Sequence, residues 1–285
     1  MLSESRQVYG LLAELGFRTT KGVWVIEPAS RNSPGETCAS ERFRQHARAL
    51  QEQGFEIGYH NGAPGSLTRA EVIRSLDLFR EYFGHDPVVM ANHYNADAMY
   101  WGPARVSGAR RLVYTAATLG RAAGRHFGEV PGHPSYWGDV CAQRVKYCRN
   151  FVFREINTLK ACPWMPYHDP ERALVPWWYA SAEGSHFDSY TACLSEANQD
   201  RLEAEGGACV MYTHFGHGFV DDFGKLQPEF RRLMERLSRK NGWFAPVSAV
   251  LDHLLSLGGK NVLHPAQRNM LERRWLSGKF LHGTS

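Results

Sequence analysis

Three apolar runs in the chain each end on a histidine: Glu56-Ile-Gly-Tyr-His60, Val88-Val-Met-Ala-Asn-His93 and Cys209-Val-Met-Tyr-Thr-His214. An imidazole can hold a divalent metal through one nitrogen, or take and return a proton near neutral pH. Each run has the length of a short buried strand. In a parallel sheet the C-terminal strand ends share one edge, where α/β folds place their chemistry. Three histidines far apart in sequence can therefore meet in one site. Two imidazoles plus a carboxylate form an open catalytic zinc site, so His60 is a ligand of zinc or another divalent metal or a catalytic base, and His93 a metal ligand or a substrate contact. Of His214 and His217, which flank Phe215-Gly216, His214 has the stronger claim as proton donor to a leaving group, and His217 reads as a loop residue.

Other residues offer related chemistry. Asn92 and Asn95 flank His93 and suit sugar hydroxyls or an acetamide, although asparagines also simply make turns. The rigid stretch Pro166-Tyr-His-Asp-Pro170 carries His168 and Asp169, a base and its orienter, or a capped turn. Glu183 and Glu27 are carboxylates near strand ends. The chain has eight tryptophans. Trp101, Trp137, Trp164, Trp177 and Trp178 lie in or beside loops, where their rings stack on sugar faces or fill the core.

The elements that must position these residues alternate. Ser3–Leu15 reads as a helix with Val8, Leu11, Leu12 and Leu15 on one face. Val23–Ile26 follows as a strand, then a helix over Ser40–Gln53 stopped by Gly54, and the strand Phe55–His60. Thr68 with Glu71 three residues on is a capping box, opening a helix that Gly84 ends. Pro87–His93 is the next strand. Ala104–Arg125 reads as helical, Asn150–Phe153 and Trp177–Ala180 as strands, and the prolines between 162 and 178 exclude regular helix there. A helix over Ser195–Glu205 leads into the strand Ala208–His214. Pro228–Lys240 is a helix, Phe244–Val247 a strand, and Ser248 caps a helix to Leu257. The alternation predicts one α/β domain over residues 1–258 built on a parallel sheet. Residues 259–285 read as a polar, loosely attached tail. A strand should precede the first helix, and the sequence as given has none.

Bulk composition narrows the partners. With 43% hydrophobic and 22% charged residues the chain is an ordinary globular one. A net charge of +4 without a basic stripe argues against nucleic acid. No apolar stretch approaches the roughly 20 residues of a membrane span. The first residues lack the pattern of a signal peptide, so the expected location is cytoplasmic. Six cysteines without CxxC spacing exclude a zinc ribbon or disulfide framework.

The order helix, strand, helix, then Gly54-Phe-Glu-Ile-Gly-Tyr-His60 resembles the polysaccharide deacetylase family of the NodB-homology, carbohydrate esterase 4 type. His60 matches the first metal histidine of that family. Val210-Met-Tyr-Thr-His214 resembles its late strand, whose histidine is the general acid, and Trp243-Phe-Ala-Pro-Val-Ser248 its last strand and helix. The resemblance covers both ends of the chain and little of the middle. It is nearest to deacetylase-like proteins found with surface-polysaccharide biosynthesis, including lipopolysaccharide and O-antigen.

It implies a distorted parallel (β/α) barrel, here lacking its first strand. It also implies a metal-dependent hydrolase that removes an N-acetyl or similar acyl group from a carbohydrate. The departures are specific. The family's two aspartates lie on the missing leader strand, and no aspartate precedes Asp77. The second metal histidine would fall at Pro64, and Asn92-His93-Tyr94-Asn95 replaces the groove arginine and proline. A divergent branch, a chain begun at an internal Met1, and lost catalysis are the alternatives. They leave a non-catalytic sugar-binding relative, or a metal-free hydrolase using His168 and Asp169, as competing readings.

Overall fold

A computed structural model describes residues 2–31, 33–100, 104, 106–120, 125–258 and 261–283. Six strands form its sheet: β1 (Thr20–Val23), β2 (Glu56–Tyr59), β3 (Val89–Met90), β4 (Tyr147–Phe153), β5 (Trp177–Glu183) and β6 (Met211–Tyr212). They lie in the spatial order β1-β2-β3-β4-β5-β6, every neighbouring pair parallel, and curl into a half-barrel. Among the described residues no pairing joins β1 to β6, so the sheet has two edges.

The helices run between and around these strands. Those before β4 are α1 (Leu2–Glu14), α2 (Glu41–Glu52), α3 (Arg69–Phe83), α4 (Gly108–Ala117) and α5 (Gly138–Arg144). After β4 come α6 (Thr158–Ala161), α7 (Phe187–Cys193), α8 (Glu196–Ala204), α9 (Pro228–Leu237), α10 (Val247–Gly258) and α11 (Pro265–His282). Alternation along each strand separates an outer face under the helices from an inner face. On β2, Ile57 and Tyr59 point out, and the Tyr59 ring meets Phe79 of α3 at 6.3 Å. Gly58 and His60 point in. A Cβ on Gly58 would stand 3.0 Å from Thr20 Cγ2 and 3.1 Å from Val89 O, so glycine lets the three strands approach.

α3 forms as its ends dictate. Thr68 Oγ1 accepts from the Glu71 amide and the Glu71 carboxylate from the Thr68 amide, while Gly84 closes the helix at φ +82. Its buried stripe includes Ser75, polar yet internal because its hydroxyl bonds Tyr59 Oη at 2.5 Å.

Two expectations are corrected. Phe244–Val247 is not a strand, and α10 begins at Val247 with Ser248 inside it. The start of α10 is instead tied across the N-terminal ends of the strands. The Val247 amide donates to Thr20 Oγ1 at 2.8 Å and the Ser248 amide to Glu56 Oε2 at 3.2 Å. Asp252 accepts from Tyr147 Oη at 2.5 Å. These contacts draw the segment into a plug under the half-barrel. Nor do residues 261–283 form a loose tail: α11 buries Leu271, Glu272 and Trp275. Trp275 sits between Tyr114 of α4 and Phe151 of β4, with centroids at 5.3 and 6.2 Å. Buried Glu272 takes Arg110 Nε at 2.8 Å. The segment looked polar because its apolar residues are sparse, yet they fall on one face.

Candidate functional site

The three strand-end histidines converge at the end of the half-barrel opposite α10. His60 follows β2 directly, and its ring centroid lies 5.0 Å from that of His93. Trp24, just after β1, stacks on His60 at 5.4 Å and meets His93 edge-on at 5.3 Å. Gly35 passes so close over this indole that a Cβ there would clash with it. His214, two residues beyond β6, has its ring 5.0 Å from Tyr212 and 5.4 Å from His217.

Hydrogen bonds fix the imidazole tautomers. His60 Nδ1 lies 2.7 Å from Ala91 O, and His214 Nδ1 lies 2.9 Å from Ser185 O. A carbonyl only accepts, so both Nδ1 atoms carry the proton and both Nε2 atoms present a lone pair. Asn95 donates its amide to Ala63 O and Gly65 O, which leaves its Oδ1 to accept from His93 Nδ1 at 2.9 Å. His93 Nε2 then accepts from Ser33 Oγ at 3.2 Å, and His214 Nε2 from Tyr212 Oη at 3.3 Å.

Behind His93 stands a buried support. Asn61 adopts φ +54, a left-handed conformation that asparagine tolerates. Its Oδ1 accepts from the His93 amide at 2.7 Å, and its Nδ2 donates to Asp97 Oδ2 at 3.0 Å. Burial pushes the Asp97 carboxyl up to about 7, against the opposing bonds from Asn61 and the Leu67 amide.

Arg149 of β4 lies at the centre of the inner face. Its guanidinium is 4.0 Å from the Tyr212 ring centroid and donates to Asn92 O at 3.3 Å. The β4–β5 register shifts directly after it, and such bulges redirect side chains beside functional sites. Burial is the main cause of low basicity in the histidines. It holds His60 well below the usual imidazole range, with the neighbouring His93 as the next cause, and lowers His93 as well. His214 falls to about 4 through burial, with Arg149 adding to the effect. All three are neutral bases at pH 7.

Some candidates named from sequence lie elsewhere. Asn92 and Asn95 are buried and position others: Asn92 bonds Arg149 O and the Met99 amide. His168 and Asp169 sit beside the N-terminal end of β5, at the other end of the sheet. Asp169 is fully buried against Arg268 at 2.5 Å and caps the turn before Glu171, while His168 bonds Pro176 O at 3.1 Å. Trp178 is wholly buried core. Glu183 ends β5 beside Tyr212, and its carboxylate accepts from the Ser185 amide at 3.0 Å. Glu27 binds Thr37 and Arg31. Trp101 lies outside the described residues.

Sequence reading passed over Arg149, Trp24 and Asn61. Arg149 had a signal, a charge inside the run Tyr147-Cys-Arg-Asn-Phe-Val-Phe153, whose seven residues are all buried. A charged group on a strand covered on both faces needs a partner or a purpose.

A divalent metal fits this donor set poorly. His60 Nε2 and His93 Nε2 are two nitrogens, and an open zinc site takes three protein ligands. Among the described residues no group of three His, Cys, Asp or Glu is placed to hold a metal ion. The nearby guanidinium would also repel one.

Comparison of the chain with protein-family models and with curated proteins finds no match. Among the described residues no helix is long and apolar enough to cross a membrane.

Proposed function

We propose that the chain is a carbohydrate-acting hydrolase that releases an N-acyl group from a sugar, with its site at the strand-end histidines. The observation that carries the reading is their convergence, as neutral bases, at the C-terminal edge of an all-parallel half-barrel. The resemblance to polysaccharide deacetylases supplies the substrate class. In this chemistry a water attacks the amide carbonyl carbon while an imidazole Nε2 takes its proton. Arg149 supports the negative charge that develops on the carbonyl oxygen. The carbon–nitrogen bond then breaks, and the imidazolium returns the proton to the departing amine. His214 suits this relay because its Nδ1–H is anchored on Ser185 O. His60 is the alternative base on the facing wall.

The test is acyl release from an N-acetylated oligosaccharide by the full chain and by His60→Ala and His214→Ala. Loss of a catalytic base costs about 10²–10⁴-fold in rate. Wild-type rates in both variants would sink the reading. Binding without turnover is the second reading. It is favoured by the poor fit of the donor set to a metal, and predicts sugar binding with no acyl release from the wild type.

A further inference from the structure

Helix α4, between β3 and β4, turns its apolar side outward. Ala109, Leu112, Val113 and Ala116 recur at the spacing of one helical face, which in a globular protein ordinarily meets the core. Here that face is in solvent. Leu112 is 73% and Val113 54% exposed, and Leu119, just beyond the helix, 83%. The other side holds the helix in place. Tyr114, the one buried residue of α4, packs on Trp275 and Phe280 of α11. Arg110 donates to the buried Glu272 and to Asn269. Phe280, half-exposed, extends the apolar patch onto α11. Exposed apolar side chains grouped in this way mark an interaction surface.

The charge around the patch has one sign. α4 and α11 together carry a single acidic residue, Glu272, and it is buried against Arg110. From Ala98 to Gly128 the sequence has no aspartate or glutamate and five arginines, Arg105, Arg110, Arg111, Arg121 and Arg125. Arg111 is exposed on α4 and Arg273 on α11. Arg273 stands one helical turn after Asn269, which meets Arg110, so it lies on the side of α11 next to α4. A second copy of the chain would set arginine against arginine here, which works against binding. Leucines this exposed form a ridge rather than a groove, and a ridge inserts among lipid chains without needing a matching cavity. Arginines beside it suit anionic headgroups. The patch also lies at the end of the half-barrel that carries the histidines, because His282 of α11 meets Arg154, the residue after β4, at 3.0 Å.

We propose that α4 and the end of α11 dock the protein on an anionic lipid surface. Leu112, Val113, Leu119 and Phe280 enter the acyl boundary, and Arg111 and Arg273 face the lipid phosphates. The attachment is peripheral, with α4 lying in the interface. It does not depend on the chemistry assigned to the histidines.

Cosedimentation of the full chain with vesicles of phosphatidylcholine, alone or mixed with phosphatidylglycerol, tests it. The anionic vesicles should bind about tenfold or more tightly than the neutral ones, and Arg111→Gln and Arg273→Gln should each weaken that binding about fivefold. Added salt should release the protein. The double variant Leu112→Asp, Val113→Asp should lose binding to both vesicles. Its positions are exposed, so its thermal unfolding should match the wild type. No preference for anionic vesicles, or undiminished binding by the double variant, overturns the proposal. If the wild type ignores vesicles and the double variant instead loses an oligomer on sizing, the patch is a contact between copies, and the proposal is overturned as well.

Discussion

At the residue scale, the buried imidazoles make stability depend on acid. His214 titrates near 4 when folded, below the ~6.5 of an exposed histidine. Between those values the unfolded chain binds more protons, so stability falls as the pH drops through that window. His46 and His126, both also pushed to about 4 by burial, act in the same direction. Asp97 opposes them. Its folded value of about 7 means the folded chain holds a proton that the unfolded chain releases, so its contribution rises as the pH falls from 7. Three histidines outweigh one aspartate, and the urea midpoint should be lower at pH 5 than at pH 7.5. An equal or higher midpoint at pH 5 would show these imidazoles to be hydrated. Asn61→Ala removes the acceptor of the His93 amide and a donor to Asp97. It should cost about 2–3 kcal/mol in urea unfolding, the scale of two buried groups left unpaired. His60, His93 and His214 were legible in sequence because each ends an apolar run. Asn61 was not, since an asparagine before a glycine reads as any turn.

At the element scale, the local chemistry of α3 is worth a definite amount. Thr68→Ala should destabilise by about 1 kcal/mol, the usual value of an N-cap. Thermal unfolding measures it, and no change would mean that tertiary packing alone sets this terminus. α11 is held differently, by the buried pair Asp169–Arg268 and by Trp275. Asp169→Ala removes the buried partner of Arg268, which keeps the exposed Glu171 at 2.8 Å, and should cost about 3 kcal/mol, the lower end for a broken buried pair. Acyl release per folded molecule should stay at the wild-type level, because Asp169 lies at the far end of the sheet from the histidines. A rate loss without a stability loss would restore Asp169 to a chemical role. The capping box was readable because both partners lie within four residues. The anchoring of α11 was not, since its partners are about 100 or more residues away.

At the scale of the whole molecule, the half-barrel leaves two strand edges. Thr20 and Lys21 of β1 and Met211 and Tyr212 of β6 are half-exposed, and Gly22 is exposed. Unpaired edges recruit other strands. The chain should therefore self-associate in a concentration-dependent way on sizing chromatography, and a monodisperse monomer across concentrations would count against this. The sequence by itself determined the helix–strand alternation, the parallel sheet and the three histidines at strand ends. Period, capping and glycine stops are local signals, and they survive packing. Only the tertiary structure decided which groups meet. It placed Arg149 among the histidines and sent His168 and Asp169 to the opposite end. It also turned Phe244–Val247 from an expected strand into the lead-in to α10. Those outcomes depend on curvature, register and contacts between distant segments, none of which spacing along the chain encodes.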